Sequence, residues 1–379
     1  MGFDLIDLKE FRRDLHSHPE TGFELERTPR LIAEQLSEAG LKVTTGVGHA
    51  GIVATLEAGP VETAIGFRAD MDALPIGESN TFDHASKVSG KFHGCGHDGH
   101  STILLGAALR LASNPSKLER TIHFIFQPDE ENGNGASAMI SDGLFERFPM
   151  SEIYGLHNMP GLPVGSFATQ AGPFCAFEDN FTIEVNGRGG HASMPEKALD
   201  PLMPAVDIVG QLQTIVSRSI PPQDHAVVSV TELITDGARN ILPSNVKIQG
   251  DCRGFTEATS DTIRSRMGEI VNGICLAHGV TGTLTYKNSF QPLINHPSQV
   301  LFAARAARSV GEINEGQGRM GFSEDFAEFL LHKPGAFVLF GNGTEGEFAM
   351  PLHNPGYDFN DQAIEVGVNF WVSLAQLSY

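Results

Sequence analysis

Four separated places in this chain carry side chains that bind divalent transition metals. Cys95 and His97 stand in FHGCGHDGH and the acidic pair Glu130-Glu131 in FQPDEENGNGA. His157 stands in YGLHNMP and His353 in PLHNPGYDFND. Thiolate, imidazole and carboxylate are the ligands such ions take. Each stands where a strand pattern runs out into a Gly- or Pro-rich loop, which is where an open α/β sheet gathers its ligands. The chemistry on offer is metal-assisted hydrolysis.

Cys95 and His97 lie two residues apart. Gly94, Gly96 and Gly99 favour a tight loop whose backbone can turn both side chains toward one spot. Alone, the pair also suits a buried apolar Cys beside a core His. His93 and His100 crowd the same loop and leave the choice of ligand open. Glu130 and Glu131 follow the apolar run IHFIFQP, and two carboxylates at the end of a buried strand are hard to explain by packing. Asp129 and Asn132 also suit a solvated turn. Neighbouring side chains of an extended segment point opposite ways, so one carboxylate can hold metal while the other faces the water it activates. His157 ends IYGLH, and His353 sits in a rigid turn between Pro351 and Asn354-Pro355. Either His alone reads as structural; all four places together read as a site.

The elements that must position these residues follow from period and punctuation. A length of 379 residues suggests two or three domains. Leu5, Leu8, Phe11 and Leu15 predict a helix over 4–15. A second helix is expected over 29–39, with Thr28 as cap, Pro29 in its first position and Gly40 at its end. Strands are expected at 51–57, 63–69, 121–127 and 153–157, with helices at 98–112 and near 135–142. Such alternation implies a largely parallel sheet with helices on both faces. After about residue 175 the pattern becomes βαββαβ, with strands at 177–186, 226–235, 245–253 and 281–288 and helices at 200–218 and 259–278. That order is ferredoxin-like. Helices near 298–310, 323–331 and 361–377 and a strand at 335–340 resume the first pattern. The expected α/β architecture is therefore a discontinuous catalytic domain, 1–174 and 291–379, interrupted by a smaller domain of 175–290. His353 must then return across the insertion to meet Cys95.

Composition narrows the function. Lys and Arg number 26 against 46 Asp and Glu, a net charge of −20, which argues against nucleic acid as a partner. No apolar run approaches a membrane span. The N-terminal stretch lacks the basic lead and apolar core of a secretory signal. Cysteines 95, 175, 252 and 275 are scattered and form no framework. A cytoplasmic setting is the expectation. Gly133-x-Gly135-x-x-Ala138 and Gly187-x-Gly189-x-x-Ala192 fit the loose dinucleotide fingerprint. The strand after the first ends in His157-Asn158 rather than an acid, and Pro195 interrupts the second, so both read as tight turns.

Longer segments carry a family resemblance. They are DLHSHPETGFELERT at 14–28, FRADMDALPI at 67–76, GKFHGCGHDGHS at 90–101, FQPDEENGNGA at 126–136, GLHNMPGLPVG at 155–165, GRGGHASMPEKALDP at 187–201 and GFSEDFAEFL at 321–330. In this order the chain resembles the zinc-type aminoacylase and carboxypeptidase metallohydrolases. Within them it is most similar to the branch of hippurate hydrolases, N-acyl-amino-acid amidohydrolases and auxin-conjugate hydrolases.

The resemblance implies a two-metal site. Cys95 would bridge the metals, His97 and His157 would complete one, and Glu131 and His353 the other. Glu130 would be the general base. The wider family uses a His where Arg68 stands and an Asp as bridge; the Cys and His of the glycine loop would replace them. Asp70 would be the carboxylate that orients a ligand imidazole. A thiolate bridge favours zinc over magnesium, with manganese, cobalt and nickel open. His191 would donate to the developing oxyanion, reaching a partner subunit's cleft in a homodimer or homotetramer. Gly172-Pro173 and Gly187-Arg188-Gly189-Gly190 would be hinges of a lid. Asn240 and Arg253 would lie near substrate, Arg253 pairing with its carboxylate or, equally, sitting in a surface ion pair. The activity implied is hydrolysis of the amide of an N-acyl amino acid. The alternatives are a dipeptidase or carboxypeptidase of the same family and a non-catalytic metal-binding relic. A thiol enzyme with Cys95 as nucleophile and His97 or His100 as base is a further one.

Overall fold

The computed structural model describes residues 7–60 and 63–378, so Leu5 and the start of the helix expected over 4–15 lie outside it. The chain forms two compact units. One comprises the described residues up to Phe174, Ile294–Gly318 and those from Asp325 on; the other comprises Cys175–Leu293 and Arg319–Glu324. The last six residues had been assigned by pattern to the first unit. They join the second because Ala176 donates its N–H to the carbonyls of Met320 and Phe322, at 3.1 and 3.0 Å.

The first unit is built on an eight-stranded sheet. Its order is Lys42–Val47, Gly51–Leu56, Ile122–Gln127, Ile65–Asp70, Glu152–Pro160, Gly335–Gly343, Ser166–Ala168, Glu312–Asn314. Strands Ile122–Gln127, Ile65–Asp70, Glu152–Pro160 and Gly335–Gly343 run parallel to their neighbours in this central block. They read as near-continuous apolar runs because both faces are covered. Alternation sends Phe67, Phe124, Tyr154 and Val338 to one face, where they share a core with helices Arg27–Glu38, His97–Ser113, Pro297–Arg308 and Gln362–Gln376. Phe337 points to the other face and meets Phe326 of helix Phe326–His332, with ring centres 5.5 Å apart. The antiparallel hairpin at one edge, Lys42–Val47 with Gly51–Leu56, had not been anticipated as a pair.

Helix Arg27–Glu38 starts two residues earlier than its pattern suggested, and Thr28 does not cap it. The Glu20 carboxylate does, accepting the N–H groups of Glu26, Arg27 and Thr28 at 2.9, 2.9 and 2.8 Å. An anion from outside the helix thus satisfies its first donors. Gly40 ends the helix as expected, at φ +84°.

A buried polar cluster fixes helix Leu8–Ser17 under the glycine loop. Arg12 is 0% exposed. It donates to Asp358 at 2.8 Å and Asp361 at 2.9 Å and lies 3.3 Å from Asp98, the neighbour of His97. His16 Nδ1 is 2.8 Å from the same Asp98 carboxylate. Arg12→Ala should lower stability by about 3–5 kcal/mol, because it strands buried carboxylates without their cation. Equilibrium unfolding in guanidinium chloride measures this; a loss below about 1 kcal/mol would mean the acids find other partners.

The second unit is a four-stranded antiparallel sheet in the order Val227–Thr235, Asn245–Gly254, Phe177–Asn186, Thr281–Phe290. Strand Phe177–Asn186 alternates buried and open positions, the mark of a sheet covered on one face. Ile208, Leu212 and Ile215 of helix Leu202–Ser219 and Ile263, Met267 and Val271 of helix Glu257–His278 cover it. The connectivity is βαββαβ, a ferredoxin-like arrangement.

Candidate metal centre

The glycine loop is bent by a need that only glycine meets. Gly96 has φ +91°, and a Cβ there would come within 2.5 Å of Asn158 Oδ1 and 2.7 Å of the Tyr357 hydroxyl. The chain turns at this point into helix His97–Ser113, which leaves Cys95 and His97 on either side of the bend. His353 returns to this loop through its backbone: its N–H donates to the Gly94 carbonyl at 2.8 Å. It adopts φ +66°, an uncommon conformation for a residue with a Cβ. The Glu130-Glu131 turn is held from below by Asp72, whose two oxygens accept the N–H groups of Glu130 and Glu131 at 3.0 and 3.2 Å.

These turns bring Cys95, His97, Glu130, Glu131, His157 and His353 together within the first unit. Cys95 Sγ is 3.5 Å from His157 Nε2. His97 Nε2 is 3.8 Å from Glu131 Oε1 and 4.0 Å from Glu130 Oε2. His353 Nε2 is 3.5 Å from Glu131 Oε2. His157 Nδ1 lies 2.8 Å from the Asn158 carbonyl and must donate to it, so Nε2 keeps its lone pair facing Cys95.

The electrostatics demand positive charge. Burial disfavours charge on His97, yet Asp70, Asp72 and Glu131 outweigh it and push its pKa up to about 10. Burial pushes the Glu131 carboxyl up to about 7 against the downward pull of His97, with Asp72 and Asp70 adding to the rise. Burial, helped by His100 and His97, holds His157 well below its ordinary value and neutral.

A divalent metal fits these residues. Both nitrogens of His97 and Oε1 of Glu131 are buried without a hydrogen-bond partner, a costly state for polar atoms unless something binds them. One donor atom each from Cys95, His97 and Glu131 lies within 4.8 Å of the others. A thiol, an imidazole and a carboxylate so gathered are the donor set of a borderline-soft transition ion.

Asp70 lies among His97, His100 and His157 and bonds most directly to His100. Its Oδ1 is 2.7 Å from His100 Nδ1, and its Oδ2 accepts from Arg68 at 2.7 Å. Of the two carboxylates facing His97 Nδ1, Asp72 is the nearer, at 3.6 Å against 3.9 Å for Asp70. Asp70 therefore orients His100, whose Nε2 in turn faces Asn158 Oδ1 at 2.8 Å. Asp72 was not singled out from the sequence. Its signal was the spacing in RADMD, where positions two apart share a face of an extended chain. Arg68 is fully buried and donates to Asp70, Gln127 and Asp325.

The remaining candidates lie in the second unit. His191 pairs with Ile241 in a short antiparallel ladder, and the Ala192 N–H donates to the Asn240 carbonyl at 3.0 Å, so His191 and Asn240 are neighbours. The Ser193 N–H donates to His191 Nδ1 at 3.1 Å, which leaves the proton of the neutral ring on Nε2. Arg253 pairs with Glu178 at 2.6 Å and Asp251 at 3.0 Å and donates to Ser323 at 2.6 Å. Its guanidinium thus pairs with two acids of the protein, as the ion-pair alternative expects. Gly187 and Gly189 are explained by packing, since a Cβ would come within 2.0 Å of the Leu199 carbonyl oxygen and 2.7 Å of that of Leu242. That close approach accounts for glycine there.

Known proteins resemble the chain over nearly its whole length. Hippurate hydrolase of Campylobacter jejuni is 38% identical, over 98% of this chain and 97% of its own length. N-acetylcysteine deacetylase of Bacillus subtilis is 34% identical, over 97% of this chain and 96% of its own. The crystal structure of the YXEP protein of Bacillus subtilis, described as a dinuclear metal binding peptidase, superposes with a TM-score of 0.85. It is 30% identical and covers 97% of this chain and 96% of its own. The protein is a metal-dependent amidohydrolase acting on linear amides. With residues 66–377 matching the family, and thiol, imidazole and carboxylate donors gathered at the ends of its sheet, the chain belongs to peptidase family M20/M25/M40.

Proposed function

We propose that this amidohydrolase cleaves the amide of N-acyl amino acids, hippurate-like or N-acetylated, and releases a carboxylic acid and a free amino acid. The observation that carries the reading is the cluster of Cys95, His97 and Glu131 beside the carboxylate of Glu130, with both nitrogens of His97 and Oε1 of Glu131 buried and unpartnered. The names of the relatives support the substrate class, since hippurate and N-acetylcysteine are both N-acyl amino acids.

Cys95, His97, His157, Glu131 and His353 are the residues that would hold two divalent ions, with Cys95 shared. Zinc suits the thiol best; manganese, cobalt and nickel are the other candidates. Bound ions would polarise the scissile carbonyl and acidify a water. Glu130 takes the proton of the attacking water and delivers it to the nitrogen of the leaving amine, which would otherwise depart as a strongly basic anion. His191 donates Nε2–H to the developing oxyanion, with Asn240 beside it near substrate.

The second unit serves as a lid and dimerisation domain, and the assembly is a homodimer or homotetramer. Strand Val227–Thr235 supports this: it is an edge of its sheet, and Val227, Leu233 and Ile234 are exposed, Val227 at 50%. Such an edge invites pairing with another chain. Among the described residues no helix is long and apolar enough to cross a membrane. The four cysteines are free, which supports a cytoplasmic setting.

The test is release of free amine from a panel of N-benzoyl and N-acetyl amino acids, with a chelated control. Chelation should abolish release and zinc should restore it; release that survives metal removal would favour a thiol mechanism. His191→Ala should lower kcat by about 10²–10³-fold, the worth of one oxyanion donor, with metal content unchanged. Unaltered kinetics would remove His191 from the reaction.

A further inference from the structure

We infer that Asp236 is a positioning residue of the second unit, the pin that closes the loop carrying Asn240 and holds that loop against the strand of His191. The inference rests on the roles proposed above for His191 and Asn240 and names what sets their geometry.

Both residues stand on a part of the unit that its core does not fix. Strands Val227–Thr235 and Asn245–Gly254 pair in the four-stranded sheet, with Thr235 opposite Val246. The chain between them, 236–244, leaves that sheet. Its Ile241–Leu242 pairs instead with Gly190–His191, in a ladder of two strands only. His191, Arg239, Asn240 and Ile241 are all exposed. A lone pair of strands is marginal in water, so the place of this ladder depends on polar pins at its base.

The Asp236 carboxylate is such a pin. Its Oδ1 accepts the N–H of Ser244 at 2.8 Å and that of Asn245 at 3.0 Å. The Asn245 N–H, with that of Ser244, holds the carboxyl below the usual carboxylate range. One charged oxygen thus ties the start of the loop to its end and to the first residue of the returning strand.

Ser244, so held, receives the segment that leads to His191. Its carbonyl accepts the Gly187 N–H at 2.9 Å, and its hydroxyl accepts the Gly189 N–H at 3.1 Å. Within the loop, Ala238 and Ile241 exchange N–H to carbonyl bonds at 3.1 and 3.0 Å, which puts Arg239 and Asn240 at the tip of a tight turn. The Asn240 carbonyl accepts the Ala192 N–H at 3.0 Å. The bonds run from Asp236 through Ser244 to residues 187–192 and back to Asn240. Ser193 sets which nitrogen of His191 carries the proton; Asp236 sets where the ring stands.

Two substitutions separate the acceptor from the rest of the side chain. Alanine removes it. Asparagine keeps one oxygen with two lone pairs, enough for both N–H groups. A residue that acts through His191 has little left to position once that imidazole is gone, so the two losses should not add.

The experiment is steady-state kinetics of the metal-loaded protein on an N-acyl amino acid, with thermal unfolding and metal content of each sample. The proteins are wild type, Asp236→Ala, Asp236→Asn, His191→Ala and the double variant Asp236→Ala/His191→Ala. Asp236→Ala should lower kcat by about 10-fold or more, as for a misplaced reacting group, with metal content unchanged and Tm within about 3 °C of wild type. Asp236→Asn should restore most of that loss, and the double variant should turn over at the rate of His191→Ala. Wild-type kcat in Asp236→Ala would overturn the inference. So would a full additional loss in the double variant, since Asp236 would then act elsewhere. Variants that both melt about 10 °C lower would make Asp236 a general structural residue and overturn it too. Unaltered kinetics in His191→Ala would overturn the role proposed for His191 along with the pin, so that arm separates the two failures.

Discussion

Glu130→Gln should lose about 10²–10⁴-fold in kcat while binding its metals as tightly as wild type. The exchange keeps size and shape, so the turn clasped by Asp72 stays in place. A carboxamide cannot take a proton from water or return it to the departing nitrogen. Glu130 is nearly buried, with its Oε2 4.0 Å from His97 Nε2, so it borders the proposed centre. Two of the neighbouring carboxylates are already committed. Asp72 accepts two backbone N–H groups, and Asp70 is bound to His100 and Arg68. Steady-state kinetics with elemental analysis of the same sample checks both halves. Normal turnover would remove Glu130 as the base, and loss of metal would make it a ligand.

Cys95→Ala should lose metal outright and turnover with it. Its thiol lies 3.5 Å from His157 Nε2 and within 4.8 Å of the donor atoms of His97 and Glu131. Cys95 is a residue that would hold the metal directly, so the affinity should fall by more than the about 10–100-fold that loss of a partner behind a ligand costs. Elemental analysis after gel filtration reads this directly. Cys95→Ala protein that retains full metal but is inactive would point to a thiol nucleophile. Protein that retains both metal and activity would leave the cysteine as packing.

How much of this was legible without coordinates depended on distance along the chain. The strand over Phe177–Asn186 was plain from its alternation, because period-2 burial on a sheet covered on one face is a local property. The bend at Gly96 was legible too, since a run of glycines marks a loop. Thr28 was misread as a cap because the residue that satisfies the helix start, Glu20, folds back from outside it. Residues 319–324 were assigned to the wrong unit because their partner, Ala176, is remote in sequence. Arg253 shows the same limit, for its neighbours Glu178 and Ser323 come from distant segments.

The sequence by itself determined the chemical inventory and the order of elements. It supplied a thiol, imidazoles and carboxylates at strand ends, a βαββαβ insertion, and glycines where the backbone must turn. These follow from side-chain chemistry and from periods that act over a few residues. The tertiary structure alone decided which inventory members meet. It brought the His353 N–H to the Gly94 carbonyl, left both nitrogens of His97 without partners, and set Asp72 rather than Asp70 nearer the ring of His97. The two carboxylates differ there by a few tenths of an ångström. That difference is set by packing and by hydrogen bonds between segments far apart in the chain, which no local pattern encodes.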